Sequence, residues 1–591
     1  MSAPLAELDV LIIDCQATQA YPAGGNLLEI GWAHTRALKR CTGNTPPLTI
    51  ETALIACPTE NLSRKVSRLT GISPDDLAGA HEPGDIWKRL TGAAQKCAVE
   101  DRSGICTAVI HFARFEEPYL RKLHTLYGGD RPFPFRIICT HEIAKRMFPD
   151  LPRRGLRAVA GYFGWSVAEL RRSSHHIAAT AFIWRRMVEL LEADYDVRTL
   201  DELLYWLDHT PGLSKTGRAY PMERADRLGL PDKPGVYRML RSNGDVLYVG
   251  KASSLKKRVN SYFQKRNSHP EHILEMLTQA HSLDITVTRS SLEAALLESD
   301  EIKRLSPPYN VSLREHDRSL WFYSPDLINH STDADERHTI GPVPCHEKLD
   351  TLAVIRDLAD HTERHAEAFD GSIPSRALGI PVEYAPDGEI FQAGFYLFMA
   401  RHAEFFSGRT GIGGVVRLGA HLERRHLAEV EISESPHEPP EGSDDMDEKL
   451  STTPDEARTW TPESVAEGLE RTVRHCALLI RRARWFCLLS ESVLSWRPPQ
   501  SDRGLIHILR IRNGAIVHRG NLAEGEKTPA PDGPTDCALR RRHFDVATYD
   551  RMRVLTTELR RLVAQGRDIE LSLSASRTLK QHHLERILGW V

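Results

Sequence analysis

Read for hydrophobic alternation, the chain begins with DVLIID (residues 9–14), NLLEIGWAHTR (26–36) and PLTIETALIACP (47–58). These short runs are wholly apolar or of period two and are split by Gly, Pro and Asn, a pattern that predicts strands of a central sheet. NLSRKVSRLTG and IWKRLTGAAQKCAV carry the helical period, as does ARFEEPYLRKLHTLYG, which follows the buried strand ICTAVIHF (105–112). LRAVAGYFG (156–164) and HHIAATAFIWRRMVELL (175–191) complete an α/β domain expected over residues 1–195. A basic connector spans 196–229. The pattern then restarts as PGVYRMLRSNGDVLYVGKA, two short strands around Asn243-Gly244, a strong tight-turn signal. Helical stretches and the strand DITVTR (284–289) follow, closing a second domain at about residue 325.

Beyond it, 326–428 reads as mostly helical. Residues 429–460 are acidic and rich in Ser and Pro, too poor in apolar side chains to order themselves, and predict a flexible linker. Folded character resumes over 461–591, where LIHILRIRNGAIVHRG predicts a hairpin around Asn513-Gly514 in a C-terminal α+β region. The expected fold class is α/β multidomain.

Composition changes this picture little. The chain has 591 residues, 41% hydrophobic and 27% charged, with a net charge of −3, so several cores are expected and no global basic signature exists. A local basic cleft for nucleic acid remains compatible with that balance. The ten cysteines form no CxxC pair, so no zinc site is expected. No apolar run nears 18 residues, and the expected location is cytoplasmic, with no membrane partner.

Candidate chemistry concentrates in residues 234–262. Tyr237 and Tyr248 lie on paired strands, each near a glycine where backbone can approach a phosphate. Lys256, Lys257 and Arg258 lie on the next helix, beside an apolar stripe of Leu255, Val259 and Tyr262 or Phe263. Glu298 sits among apolar positions of a later helix. A phenol that relays a proton, an arginine that holds phosphate oxygens and a lone carboxylate for one divalent ion together suit phosphodiester cleavage.

PGVY, LYVGKA, SLKKRVNSYF and LEAALLESDEIKRLSPPYNV resemble the GIY-YIG endonuclease domain, especially the N-terminal nuclease of UvrC, over residues 230–325. The resemblance implies Tyr237 as the family's first tyrosine and Tyr248 as general base or proton relay. It implies Lys251 as the assisting lysine, Arg258 as the phosphate-binding arginine and Tyr262 as a further tyrosine. Glu298 is the implied ligand of Mg²⁺ or Mn²⁺, and Asn310 the terminal asparagine.

The first domain resembles the DnaQ-like DEDDh exonucleases, which implies an RNase H-like fold. Its motifs appear as Asp14 with Gln16, as HFARFE with Glu116 at the acidic position, and as HHIAATA, where His175 is kept and Thr180 replaces an aspartate. Two of four charges are gone, so the domain is expected to bind metal weakly, through Asp14 and Glu116 with His175, and to be inactive. Glu29 and Glu117 are poor candidates for rescue. UvrC's second nuclease and tandem helix-hairpin-helix module are not found. The expected function is single-strand incision of damaged or structured DNA in an excision-repair-like process, with DNA and DNA-repair proteins as partners. The alternatives are a 3′–5′ exonuclease and a non-catalytic adaptor. In the C-terminal third, Trp485 and Trp496 beside arginines raise base stacking, with buried packing as the preferred reading.

Overall fold

The computed structural model describes residues 4–37, 48–58, 62–98, 105–166, 170–212, 218–264, 269–310, 319–360, 369, 371–406, 412–433, 460–497, 505–523 and 525–589. Most of the expected acidic linker lies outside these residues. The chain divides into two compact units, Met1–Ala294 with Arg304–Arg314, and Ala295–Lys303 with Glu315–Val591.

The first unit contains two modules. In the first, strands β1 (Val10–Ala17), β2 (Leu27–Thr35), β3 (Ile50–Leu54), β4 (Cys106–Ile110) and β5 (Phe135–Cys139) form a five-stranded sheet in the order β3-β2-β1-β4-β5. β1 runs antiparallel to β2 and parallel to β4. The helices are α1 (Arg64–Thr70), α2 (Pro83–Ala98), α3 (Ala113–Tyr127), α4 (Thr140–Met147), α5 (Leu156–Tyr162), α6 (Ser173–Asp194) and α7 (Leu200–His209). The pleat sends Val10 and Ile12 into one core with Ile143, Ile177, Trp184 and Met187. It sends Leu11, Ile13 and Cys15 into another with Ile86, Leu90, Tyr119 and Leu120. Burial on both faces explains why β1 reads as an unbroken apolar run. The first core continues past the expected end at residue 195, since Leu200 and Leu203 of α7 are buried in it.

The second module comprises α8 (Arg224–Leu228), β6 (Gly235–Leu240), β7 (Val246–Ala252), α9 (Leu255–Ser261), α10 (Glu271–Gln279) and β8 (Ser282–Val287), with the two ends of α11 (Ser291–Leu305), whose residues Ala295–Lys303 belong to the second unit. Its antiparallel sheet has the order β7-β6-β8. Gly244 adopts φ +89° in the β6–β7 turn, a conformation glycine takes without a Cβ penalty.

In the second unit, a 28-residue helix, Pro462–Leu489, packs with helices Glu347–Asp360, Ile373–Leu378 and Gly388–Arg401 around Leu352, Phe391, Phe395 and Leu469. Short strands at Trp321–Tyr323, His330–Ser331 and Ile340–Val343 add a three-stranded sheet at the border of the region expected to be mostly helical. A five-stranded antiparallel sheet follows and includes the hairpin through Asn513-Gly514. Trp485 is 4% exposed and donates from Nε1 to Thr556 Oγ1 at 3.0 Å; Trp496 is 6% exposed. Neither offers a face for base stacking. Among the described residues, no helix is long and apolar enough to cross a membrane.

Candidate active site

The register of the second module's sheet decides which side chains meet. Tyr237 pairs across with Gly250, and Met239 with Tyr248. Cross-strand partners share a face, so Tyr237 and Tyr248 become diagonal neighbours on one side of the sheet. Their ring centroids are 6.1 Å apart. α9 supplies the third ring. Ser254 caps the helix by accepting from Lys257 N at 3.2 Å, and Leu255, Val259 and Tyr262 turn the same face to the core. Tyr262 Oη lies 2.9 Å from Tyr237 Oη, and its ring is 6.5 Å from that of Tyr248. Arg258, one turn earlier, places its guanidinium carbon 5.4 Å from the Tyr262 centroid.

Burial separates the roles of these rings. Tyr237 and Tyr262 are buried, whereas Tyr248 is only half-buried. Burial holds the Tyr237 phenol well above the usual tyrosine range; Tyr248 and Tyr262 push the same way, and Arg258 opposes them. Tyr237 is therefore a fixed phenol that orients its neighbours. Desolvation opposes the Arg258 charge, but the tyrosine oxygens around it, Tyr237 first, raise its pKa above the ordinary value. It stays a cation.

The glycine expected to admit a phosphate has another occupant. A Cβ on Gly250 would lie 2.4 Å from Tyr237 Oη, so the absent side chain makes room for that hydroxyl. Lys251 pairs with Val236, and the pleat assigns it to the sheet face opposite Tyr237 and Tyr248. Asn310 is 6% exposed and clamps the edge strand: its Oδ1 accepts from Val249 N and its Nδ2 donates to Val249 O, both at 2.9 Å. It acts as a one-residue strand partner beside Tyr248.

Glu298 lies half-buried in the middle of α11. Among the described residues, no three His, Cys, Asp or Glu side chains are grouped to hold a metal ion. A single hard carboxylate fits a cation that keeps most of its ligands as water or substrate oxygens, as Mg²⁺ does. That donor chemistry matches the divalent ion expected at Glu298.

The corner expected for an exonuclease is arranged differently. The imidazole that meets Asp14 belongs to His176, whose Nδ1 lies 3.0 Å from Asp14 Oδ1, while His175 is exposed. The first turn of α6 explains the difference: His176, Ile177 and Thr180 face the sheet, and His175 faces out. Gln16 Nε2 donates to Asp14 Oδ2 at 3.2 Å and stands 3.3 Å from His176 Nδ1. Desolvation opposes a charged His176, yet Asp14 outweighs it and the net shift is upward. Asp14 is thus engaged by a neutral amide and an imidazole where metal would compete for it. Glu29 is held by Arg172, with Nη2 to Oε1 at 2.6 Å, and accepts from Ser173 N; Glu117 pairs with Arg121 at 2.7 Å. His111 is buried, and that burial, with His141 nearby, lowers its pKa to about 3, so it is neutral.

Glu116 is 3% exposed, and burial first, then Asp14, raise its pKa well above the usual carboxyl range. Burial there favours the uncharged form over the carboxylate. Stability from this group is fully present below the unfolded carboxyl pKa of about 4.3 and is lost as pH rises toward the folded value. Glu116→Gln is therefore expected to melt near the wild type at pH 4 and at higher temperature at pH 8–9, flattening the alkaline decline measured by calorimetry. A variant less stable than the wild type at pH 9 would show that the buried group is a working carboxylate.

Residues 233–311 match the model of the UvrC-like GIY-YIG domain. The three tyrosines, Arg258, Glu298 and Asn310 all lie inside that segment. Among curated proteins, UvrABC system protein C of Psychrobacter cryohalolentis is 51% identical over 94 residues, which cover 16% of this chain and 15% of that protein. The chain therefore matches only a small part of that relative's length. Among solved structures, the GIY-YIG N-terminal endonuclease domain of Thermotoga maritima UvrC, bound to its catalytic magnesium, is 34% identical, covering 15% of this chain and 94% of that one, with a TM-score of 0.14. Escherichia coli exonuclease I in complex with an oligonucleotide is 12% identical, covering 40% of this chain and 48% of that one, with a TM-score of 0.25.

Proposed function

We propose that the chain is a metal-dependent DNA endonuclease that makes single-strand incisions in damaged or structured DNA, in a process akin to nucleotide excision repair. The observation that carries this reading is the cluster of Tyr237, Tyr248 and Tyr262 under Arg258, on the segment that matches the UvrC-like domain. In the proposed reaction Arg258 holds the non-bridging oxygens of the phosphodiester, where charge grows as the bond breaks. Tyr248, the half-buried ring, relays the proton: it takes one from the attacking water and passes its own phenolic proton to solvent, as the new O–P bond forms and the P–O3′ bond breaks. Tyr237 and Tyr262 hold Arg258 and the Tyr248 ring in place through their paired hydroxyls. Glu298 would hold the divalent cation, which supplies Lewis-acid stabilisation of the departing 3′-oxygen. Lys251 adds positive charge at the end of β7.

A supercoiled plasmid carrying one defined lesion tests this directly. With Mg²⁺ or Mn²⁺, the wild type and Asp14→Ala are expected to convert it to the nicked form. Glu298→Ala and Tyr248→Phe are expected to lose roughly 10²-fold or more of that rate. Equal nicking by wild type and Glu298→Ala would overturn the assignment. Single-nucleotide release from an end-labelled strand, abolished by Asp14→Ala, would instead establish the exonuclease. Tight DNA binding with no cleavage would establish an adaptor.

A further inference from the structure

The first module has lost two carboxylates of its motifs, yet it is joined to the second through contacts too specific for a tether. Gly161 of α5 has no room for a side chain: a Cβ there would fall 1.8 Å from Gln279 Oε1 of α10. Thr278 and Gln279 are fully buried and Arg241 is 4% exposed. Buried polar groups of this kind are costly unless satisfied, and here each has a partner. Arg153 N donates to Thr278 Oγ1 at 3.1 Å, and Arg241 Nε donates to Gln279 Oε1 at 3.1 Å. Asn243 Nδ2, at the β6–β7 turn, donates to Gly164 O at 3.0 Å, and Arg153 pairs with Glu271 at 2.7 Å.

One line of these contacts runs to the candidate catalytic strand. Arg157 Nε of α5 lies 3.7 Å from Glu275 Oε1. That same oxygen accepts from Tyr309 Oη at 2.6 Å, and Tyr309 Oη in turn accepts from Gln279 Nε2. Tyr309 is 6% exposed, and its backbone N donates to Leu247 O at 3.1 Å. Its neighbour Asn310 grips Val249. Leu247 and Val249 flank Tyr248 on β7, which among the described residues has one sheet neighbour, β6. The outer edge of the strand is thus set by two residues whose hydroxyl anchor is shared with the first module.

We propose that the exonuclease-like module serves as a built-in brace for the nuclease strand, with Arg157 as a positioning residue that acts through Glu275 and Tyr309 to hold Tyr248 at its working angle. The proposal rests on the endonuclease reading for its catalytic consequence, though not for the brace itself. Arg157 reaches β7 through Glu275 and Tyr309, so its effect is expected on the chemical step. A small displacement of a reacting group is enough to slow catalysis strongly.

The full chain is compared with Arg157→Ala, Arg157→Lys and Tyr309→Phe, each checked for an unchanged melting profile of the first module. Two readouts are taken: nicking kinetics, and amide hydrogen exchange over residues 246–252. The brace predicts about a ten-fold fall in kcat for Arg157→Ala with KM within about two-fold of wild type, substantially restored by Arg157→Lys. It also predicts exchange in 246–252 accelerated about ten-fold in Arg157→Ala and Tyr309→Phe. Unchanged exchange in both variants overturns the brace whatever the nicking rates. A raised KM with kcat intact also overturns it, because the module would then be feeding DNA to the site. Accelerated exchange in a chain whose wild type does not nick leaves the brace standing and removes the endonuclease reading.

Discussion

Arg258→Ala is expected to lower the nicking rate by roughly 10²–10³-fold, the usual loss when one preorganised donor to a developing oxyanion is removed. The reason lies in how the side chain is held. Its guanidinium lies over the Tyr262 ring, and its charge is sustained by the Tyr237 and Tyr262 oxygens. A lysine keeps the charge but not the planar fork, nor the stacking on Tyr262. Arg258→Lys is therefore expected to recover little of the rate, although plasmid binding at low salt stays near wild type. Single-turnover nicking against salt-dependent binding separates these outcomes. Full activity in Arg258→Lys would show that the site needs only a positive charge.

Asn310→Ala is expected to be the most damaging single change in the second module. The side chain satisfies both backbone groups of Val249, and nothing else in the clamp replaces it. Truncation leaves a buried N–H and a buried C=O exposed to loss of their partners, at about 1–3 kcal/mol each. A cost of about 2–6 kcal/mol in denaturant unfolding should accompany loss of nicking. Asn310→Asp makes the sharper test, because a carboxylate still accepts from Val249 N but turns an acceptor toward Val249 O. It is expected to be nearly as damaging as alanine. If both variants unfold with the wild type, the clamp is not what holds β7.

Local features of the chain account for much of what the structure contains. The unbroken apolar run of β1, the Asn243-Gly244 and Asn513-Gly514 turns and the amphipathic stripe of α9 each depend on neighbours a few residues away, so each is legible as a string. The candidate tyrosines and Arg258 were legible for the same reason, since strand alternation and one helix face bring them together. That Gln16 and Thr180 are uncharged at the positions expected to hold carboxylates needed only residue identity.

Other roles depended on atoms distant in sequence. Which of two adjacent histidines meets Asp14 followed from the rotation of α6 against β1, a matter of tertiary packing that favoured His176 over His175. Gly250 is filled by a phenol from the neighbouring strand. Asn310 is picked out by its place in the motif, but the grip of its amide on Val249 at the edge of β7, 61 positions away, is set by the fold. The engagement of Glu29 by Arg172 and the raised pKa of Glu116 come from burial and pairing, which no spacing encodes. The sequence by itself determined the local elements and the chemical types available for phosphodiester cleavage, because backbone propensity and side-chain identity are local. Only the tertiary structure decided which of those groups are buried, paired or left facing solvent, because desolvation and hydrogen-bond partnership are set by whatever the fold brings alongside.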